Sequence, residues 1–344
     1  MSLKKEGKLK VVHELNQLEF GGAERVVLNI VKFDEVNQHT IVSYKDGPFR
    51  EEFEKVGVEV IVLSDDKELD IATDLINIHS GGGISRMAME AGKEFPVIET
   101  IHSPLKTPMP DDYIVQRIGV SDVVTGLNNN CITIYNGLDF DTLQPTKTPE
   151  EVRAELGIAP DQVVIGRLGR LGTDKGVEDY LLACYCLQQE GFDFVPLIVG
   201  SEALHSSGYV GKCKLMAASL PLENCIWTGH RTDRANLLQV MDIFLYPSAT
   251  EGFGYAFIEA MYLGANVVTY NTPVNKEIVK EYGWLADKNI DGLVEGLAKV
   301  YSEPRGFFNN AREYVKENFS AKKMSEKYQE VYQNVINRCV VRKD

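Results

Sequence analysis

None of the apolar runs in this chain approaches the roughly 20 residues that a membrane-spanning helix needs. The start, Met1 to Lys10, carries lysines but no apolar stretch, so it does not read as a signal peptide. Basic residues are in deficit, 36 Lys and Arg against 50 Asp and Glu, for a formal net charge of -14. That balance excludes a dedicated nucleic-acid binder while leaving room for a local basic pocket. Cysteines are few, six in all, and none has the paired spacing of a metal site. Cys184-Tyr185-Cys186 is too tight for a zinc ligand pair and sits in a helix-like run. These features predict reduced thiols and a cytoplasmic protein. The charge pattern gives no strong sign of a basic patch for peripheral contact with the inner membrane face.

The chain is 344 residues long, which suits two domains better than one core. Strand-like runs cover Leu9 to Leu15, His39 to Tyr44, Val58 to Leu63, Asp74 to His79, Pro96 to Ile101, Arg117 to Ser121 and Cys131 to Asn136. Pro145 and Pro149 mark a linker, after which Gln162 to Leu168, Phe194 to Val199, Cys225 to Thr228, Asp242 to Tyr246, Asn266 to Tyr270 and Trp284 to Ala286 repeat the pattern. Helical runs alternate with these strands, which predicts an α/β protein with parallel sheets covered on both faces. From Ala321 to Cys339, Met324, Tyr328, Val331, Tyr332 and Val335 recur at helical spacing, as core packing does.

The stretch that carries most chemistry is Ser248 to Met261, read as strand, glycine turn and helix. Gly252 and Gly254 have no Cβ to hold a ligand away from the backbone. The helix start offers N–H groups to an anion, here the amides from Gly252 through Phe253 to Tyr255. Glu251 lies in the turn and Glu259 inside the helix, each suited to a pair of sugar hydroxyls. A second glycine-rich loop, Gly169 to Gly176, carries Arg170 and Lys175, a guanidinium fork and a point charge able to reach one diphosphate. Arg167 repeats the Gly-Arg-Leu pattern but falls within the strand. Gly21 and Gly22 separate the first strand from the first helix, a common way to seat a ligand under a helix start. The segment His79-Ser80-Gly81-Gly82-Gly83 reads as a plain loop at a strand end, and His102 closes another strand. Asp139-Phe140-Asp141 has the form of a metal-binding Asp-x-Asp but reads as the turn into the linker, so no metal is assigned.

Glu251 and Glu259, with seven residues between them and Ala260-Met261 and Gly264 following, resemble the Glu-x7-Glu signature of retaining GT-B glycosyltransferases, specifically glycosyltransferase family 4. Gly169-Arg170-Leu171 with Lys175-Gly176, and Gly21-Gly22-Ala23-Glu24-Arg25, are similar to two further motifs of that family, and the likeness spans almost the whole chain. The resemblance implies two Rossmann-like domains facing a cleft. The first would be an acceptor-side domain at 1–142, with a terminal helix at 321–340 crossing back to it. The second, at 143–320, would bind the nucleotide sugar. It implies a donor-sugar role for His102, a base pocket lined by His230 and Arg231, and a cleft position for Gly21 and Gly22. The implied reaction is metal-independent transfer of a hexose, without a cofactor, from a nucleoside-diphosphate sugar to a sugar, lipid-linked or small-molecule acceptor. Retention is attributed in the family to front-face attack, the leaving phosphate taking the acceptor's proton. The stretch between His102 and Asn136 is shorter than the family's, a departure that falls on the acceptor side. Two other readings stay open: a GT-B nucleotide-sugar epimerase or sucrose-synthase-like enzyme, and a nucleotide-sugar-binding protein without turnover.

Overall fold

The computed structural model describes residues 8–63, 72–80, 83–202 and 207–341, the side chains of 340 and 341 excepted. Gly81 and Gly82 of the loop after the fourth strand lie outside the described residues. The chain divides into two compact units, one running to Asp139 and resuming at Phe319, the other spanning Phe140–Asn318.

In the first unit the described residues form a seven-stranded sheet of β1 (Lys10–Leu15), β2 (Gln38–Ser43), β3 (Glu59–Val62), β4 (Leu75–Ser80), β5 (Val97–Ile101), β6 (Gln116–Gly119) and β7 (Cys131–Thr133). Their spatial order is β3-β2-β1-β4-β5-β6-β7, every pair parallel. Parallel strands buried on both faces read as unbroken apolar or small polar runs, and β4 is buried at every position. The sequence expected the last strand to reach Asn136; it stops at Thr133, and Ile134 makes one further backbone bond to Gly119. The terminal helix, Ala321–Val341, belongs to this unit. Met324, Tyr328, Tyr332 and Val335 are buried, with Ser325 Oγ donating to the Ile30 carbonyl at 2.9 Å and Asn77 Nδ2 donating to the Tyr332 hydroxyl at 3.1 Å. Val331, expected in the same stripe, is only half-buried.

In the second unit the described strands are β8 (Val163–Leu168), β9 (Phe194–Val199), β10 (Ile226–Gly229), β11 (Ile243–Leu245), β12 (Asn266–Tyr270) and β13 (Trp284–Ala286), ordered β10-β9-β8-β11-β12-β13 and again parallel. Its core packs the helix Val177–Gln189 through Tyr180, Leu181, Cys184 and Leu187 against Ile165, Ile198 and Leu245. All six cysteines are free thiols. The strand order reverses between β1 and β4 in one sheet and between β8 and β11 in the other. In such sheets the crevice beyond the carboxyl ends of the two strands at the reversal is where ligands sit. Among the described residues no helix is long and apolar enough to cross a membrane.

Candidate active site

The reversal in the second sheet brings the two chemistry-bearing loops together. The loop after β8 holds Lys175, and the turn after β11 holds Glu251; Lys175 Nζ donates to Glu251 Oε1 at 2.8 Å. Ser248 Oγ donates to the Asp174 carbonyl at 3.3 Å, which fastens the two segments beside that pair. Gly176 has φ +62°, and a Cβ there would lie 2.1 Å from the Pro247 carbonyl oxygen, so only glycine allows this approach. Lys175 is mostly buried, its side chain 14% exposed. Burial works against its ammonium, but the charge and hydrogen bond of Glu251, with Tyr246 and Asp174, together outweigh that and hold the Lys175 pKa above the usual lysine range. Lys175 is therefore charged at neutral pH.

Arg170 is exposed and forks toward Asp174, its NH2 nitrogen 3.1 Å from Oδ2, while Lys175 lies 3.4 Å from the same oxygen. Both cations thus converge on one carboxylate. Arg167, set aside in the sequence, is fully buried in β8 between the rings of Tyr180 and Tyr246, at 6.0 and 5.4 Å.

The helix Tyr255–Tyr262 follows the turn, with Gly254 at its N-cap and φ +92° there. A Cβ on Gly254 would strike the Phe257 ring at 2.4 Å, and Phe253 packs edge-on against Tyr255 at 5.7 Å. Gly252 and Phe253 are buried and Tyr255 half-buried. Glu259 is only 1% exposed, with its Oε1 2.9 Å from Arg234 Nε. Arg234 in turn reaches the Thr142 hydroxyl at 2.9 Å. Sequence reasoning missed Arg234; its signal was a lone arginine opening a short helix, with nothing local to tie it to a glutamate twenty-five residues on.

After β10, His230 is exposed and Arg231 is clamped by Asp233 at 2.7 Å and Glu155 at 2.9 Å. The hydrogen bonds from Arg231 pull the Asp233 carboxyl down to about 2. Arg231 is thus charge-matched by its own neighbours, and β10 lies two strands from β8 in the sheet.

In the first unit, Gly21 caps the helix Gly22–Phe33. A Cβ on Gly21 would fall 2.3 Å from Glu24 Oε2, whereas one on Gly22 would meet nothing within 4 Å. The atoms met at Gly21 are the movable end of the Glu24 side chain, so packing demands glycine at neither position. Burial pushes the Glu24 carboxyl up to about 7. His102 stands just beyond β5, and its Nε2 is 3.0 Å from His79 Nδ1. Asp139, the first carboxylate of the Asp-x-Asp, is paired with Lys32, and Phe140–Leu143 form a 3-10 turn, as the linker reading expects. Among the described residues no three His, Cys, Asp or Glu side chains gather as a metal site.

Two doubly wound parallel sheets define a GT-B architecture, and solved structures agree. The chain superimposes with a TM-score of 0.81 on a glycosyltransferase from Rickettsia africae, at 19% identity over 96% of this chain and 99% of that one. It gives 0.80 against Anabaena HepE, solved with UDP and glucose, at 19% identity over 95% of this chain and 100% of that one. The family model described as glycosyl transferases group 1 matches residues 149–322, half of the chain, and the protein belongs to that family. Among curated relatives it is similar to the O-antigen biosynthesis glycosyltransferase WclY of Escherichia coli, 26% identical over 60% of this chain and 56% of the relative. It is also similar to the capsular polysaccharide biosynthesis glycosyltransferase CapM of Staphylococcus aureus, 24% identical over 58% of this chain and 53% of the relative. The matches thus span little more than half the length of those relatives.

Proposed function

We propose that this protein is a retaining, metal-independent glycosyltransferase that moves a hexose from a nucleoside-diphosphate sugar to a sugar, lipid-linked or small-molecule acceptor. The observation that carries the reading is the 2.8 Å Lys175–Glu251 pair at the strand-order reversal of the second sheet. A cation and a carboxylate side by side at a ligand crevice suit a substrate with a dianionic leaving group next to a hydroxyl-rich ring. Lys175 and Arg170 neutralise the departing diphosphate, the task that a divalent ion performs in metal-using transferases. The backbone at the Gly254 helix start adds to that stabilisation. Glu251 accepts hydrogen bonds from sugar hydroxyls and fixes the anomeric carbon for attack. Glu259, oriented by Arg234, takes the ribose hydroxyls. In the transfer the bond from the anomeric carbon to the phosphate oxygen breaks and a bond to the acceptor oxygen forms on the same face. The acceptor's proton goes to the released phosphate.

A thermal-shift panel of uridine, guanosine and adenosine diphosphates and their sugars, with and without chelator, tests this directly. The matching nucleotide is expected to raise the melting temperature, with chelator making no difference. Lys175→Ala is expected to weaken that nucleotide's binding about 10- to 100-fold by removing a charge-assisted contact. Glu251→Ala is expected to abolish turnover while the nucleoside diphosphate still binds. A strong chelator effect overturns the metal-free reading, and unchanged nucleotide affinity in Lys175→Ala overturns the phosphate assignment. Product of inverted anomeric configuration overturns retention.

A further inference from the structure

Four of the chain's six histidines line up inside the first unit. His39 Nδ1 is 3.0 Å from His13 Nε2, His13 Nδ1 is 3.0 Å from His79 Nε2, and His79 Nδ1 is 3.0 Å from His102 Nε2. At the far end His39 Nε2 lies 3.1 Å from Asp34 Oδ2, approached off the ring N–H axis. The register explains the alignment. His39 pairs with Val11, two residues before His13; His13 pairs with Asn77, two before His79; His79 pairs with Thr100, two before His102. A step of two keeps each ring on the same sheet face. The row therefore climbs diagonally across β2, β1 and β4 and ends just beyond β5, toward the carboxyl edge where ligands bind.

A row of imidazoles joined nitrogen to nitrogen has a direction, since each ring that donates at one nitrogen accepts at the other. Asp34 sets that direction. Its Oδ1 accepts from the Val36 and Asn37 amides at 2.9 and 3.0 Å, and its Oδ2 accepts from Asn37 Nδ2 at 2.8 Å. Burial alone would raise this carboxyl, but the neighbouring His39 and the hydrogen bonds from Asn37 together outweigh it and hold it below the usual range, so it stays an acceptor. Burial keeps His13, His79 and His102 neutral, with one proton each. Beside the row, Tyr332 lies edge-on to His13 at 6.3 Å, with Asn77 bonded to it and Thr100 bonded to Asn77 at 2.9 Å, all three uncharged; Asp34 is the charged group at its end.

We propose that Asp34, His39, His13 and His79 are positioning residues that lock His102 in one tautomer, with the proton on Nε2 and a lone pair on Nδ1, so that His102 meets its ligand as an acceptor for a hydroxyl group. Starting from Asp34, the proton of each ring sits on Nε2 and points back along the row. The last ring must then leave Nδ1 bare. A bare lone pair at Nδ1 refuses a carbonyl or carboxylate oxygen, which can only accept, and takes a hydroxyl that donates. The inference rests on the glycosyl-transfer reading only for the identity of the hydroxyl, a sugar hydroxyl of the donor.

The test is nitrogen NMR of the histidine rings in the full-length, ligand-free protein, with signals assigned by His205→Gln and His230→Gln and by substitution within the row. His102 is expected to show a protonated Nε2 and an unprotonated Nδ1 at neutral pH. In Asp34→Asn the two backbone amides retain the side-chain oxygen, so the new amide nitrogen faces His39 and donates to it. Every ring should then reverse, and His102 should carry its proton on Nδ1. With the donor sugar, kcat/KM is expected to fall about tenfold in that variant, from one lost hydroxyl contact, while nucleoside-diphosphate affinity stays unchanged. A wild-type His102 protonated at Nδ1, or a doubly protonated His39, overturns the proposal without any variant. So does an unchanged ring pattern in Asp34→Asn. Reversed rings with no transferase activity in either protein would instead leave the tautomer lock standing and remove the glycosyl-transfer reading.

Discussion

At the scale of single residues, burial has put several ionisable groups at odds with their water-phase preferences, and acid should expose this. His102 is held down to about 4 by burial, and His13 and His79 are lowered in the same way. For such a base the unfolded chain binds the extra proton first. Stability is therefore full above the unfolded value near 6.5 and is lost as pH falls toward 4, at about 1.4 kcal/mol per pH unit for each proton taken up. Glu24 works the other way. Its carboxyl is raised to about 7, so its contribution is complete below the unfolded value and fades as pH rises through 7. Three histidines outweigh one glutamate between these limits, so the melting temperature should drop on acidification from pH 7 to pH 5. A flat or rising profile across that window would show that the row is already protonated in the fold. The same residues mark what the sequence could not show. Glu251 and Lys175, which the fold pairs at 2.8 Å, stood out in the sequence because each sits in a glycine-bearing loop with a recognisable spacing. His13, His39 and His79 were not, because they lie in separate strands and meet only through a strand order and a register that no local pattern encodes. Arg234 escaped for the same reason, being tied to Glu259 across the fold.

At the scale of elements, strands were legible wherever parallel pairing buries both faces. Phe194–Val199 and Asn266–Tyr270 emerge with the ends that their apolar runs mark. Among the edge strands, β13 keeps its expected bounds, Trp284–Ala286, whereas β7, with a partner on one side only, stops at Thr133. Loop geometry was legible only as the presence of glycine, and the structure says what each glycine does. Gly176 joins the loop of Lys175 to the helix Val177–Gln189 with φ +62° and a carbonyl where a Cβ would go. Gly191, after that helix, has φ +91° but nothing within 4 Å of a Cβ. The two allow strain and collision to be separated. Gly191→Ala should cost about 1 kcal/mol, the price of a left-handed non-glycine backbone. Gly176→Ala should cost several times as much, on the order of 3 kcal/mol, because the Pro247 backbone must also move. It should weaken nucleotide binding too, by shifting Lys175 from Glu251. Equal melting temperatures for the two variants would show that the loop yields freely and that the close approach is not what holds the pair.

At the scale of the whole molecule, the chain is discontinuous in a way that sets which parts can fold alone. The first unit ends its contiguous run at Asp139 and is completed only by residues from Phe319 onward. Backbone bonds stitch the return, Leu138 N to Phe319 O at 2.7 Å and Ala321 N to Leu138 O at 2.9 Å. Gly137 packs so tightly there that a Cβ would lie 2.4 Å from Ala321 N. Phe319, Met324, Tyr328, Tyr332 and Val335 are all buried in the described structure. At about 1.5–3 kcal/mol per buried large apolar side chain, their loss is on the order of 10 kcal/mol. That is comparable to the whole stability of a typical domain, about 5–15 kcal/mol. Removal would also strip Tyr332 from Asn77 and open the face on which the histidine row lies. A chain ending at Asn318 is therefore expected to keep a folded second unit and lose the first, whereas residues 140–318 produced alone should unfold cooperatively and still bind the nucleoside diphosphate that suits the full chain. Two experiments decide it: amide exchange across the truncated chain, and calorimetry on the isolated second unit. Native protection of β1 to β7 in the truncated chain would mean that the terminal helix only covers a sheet able to stand without it. The discontinuity would then be a matter of wiring and not of stability.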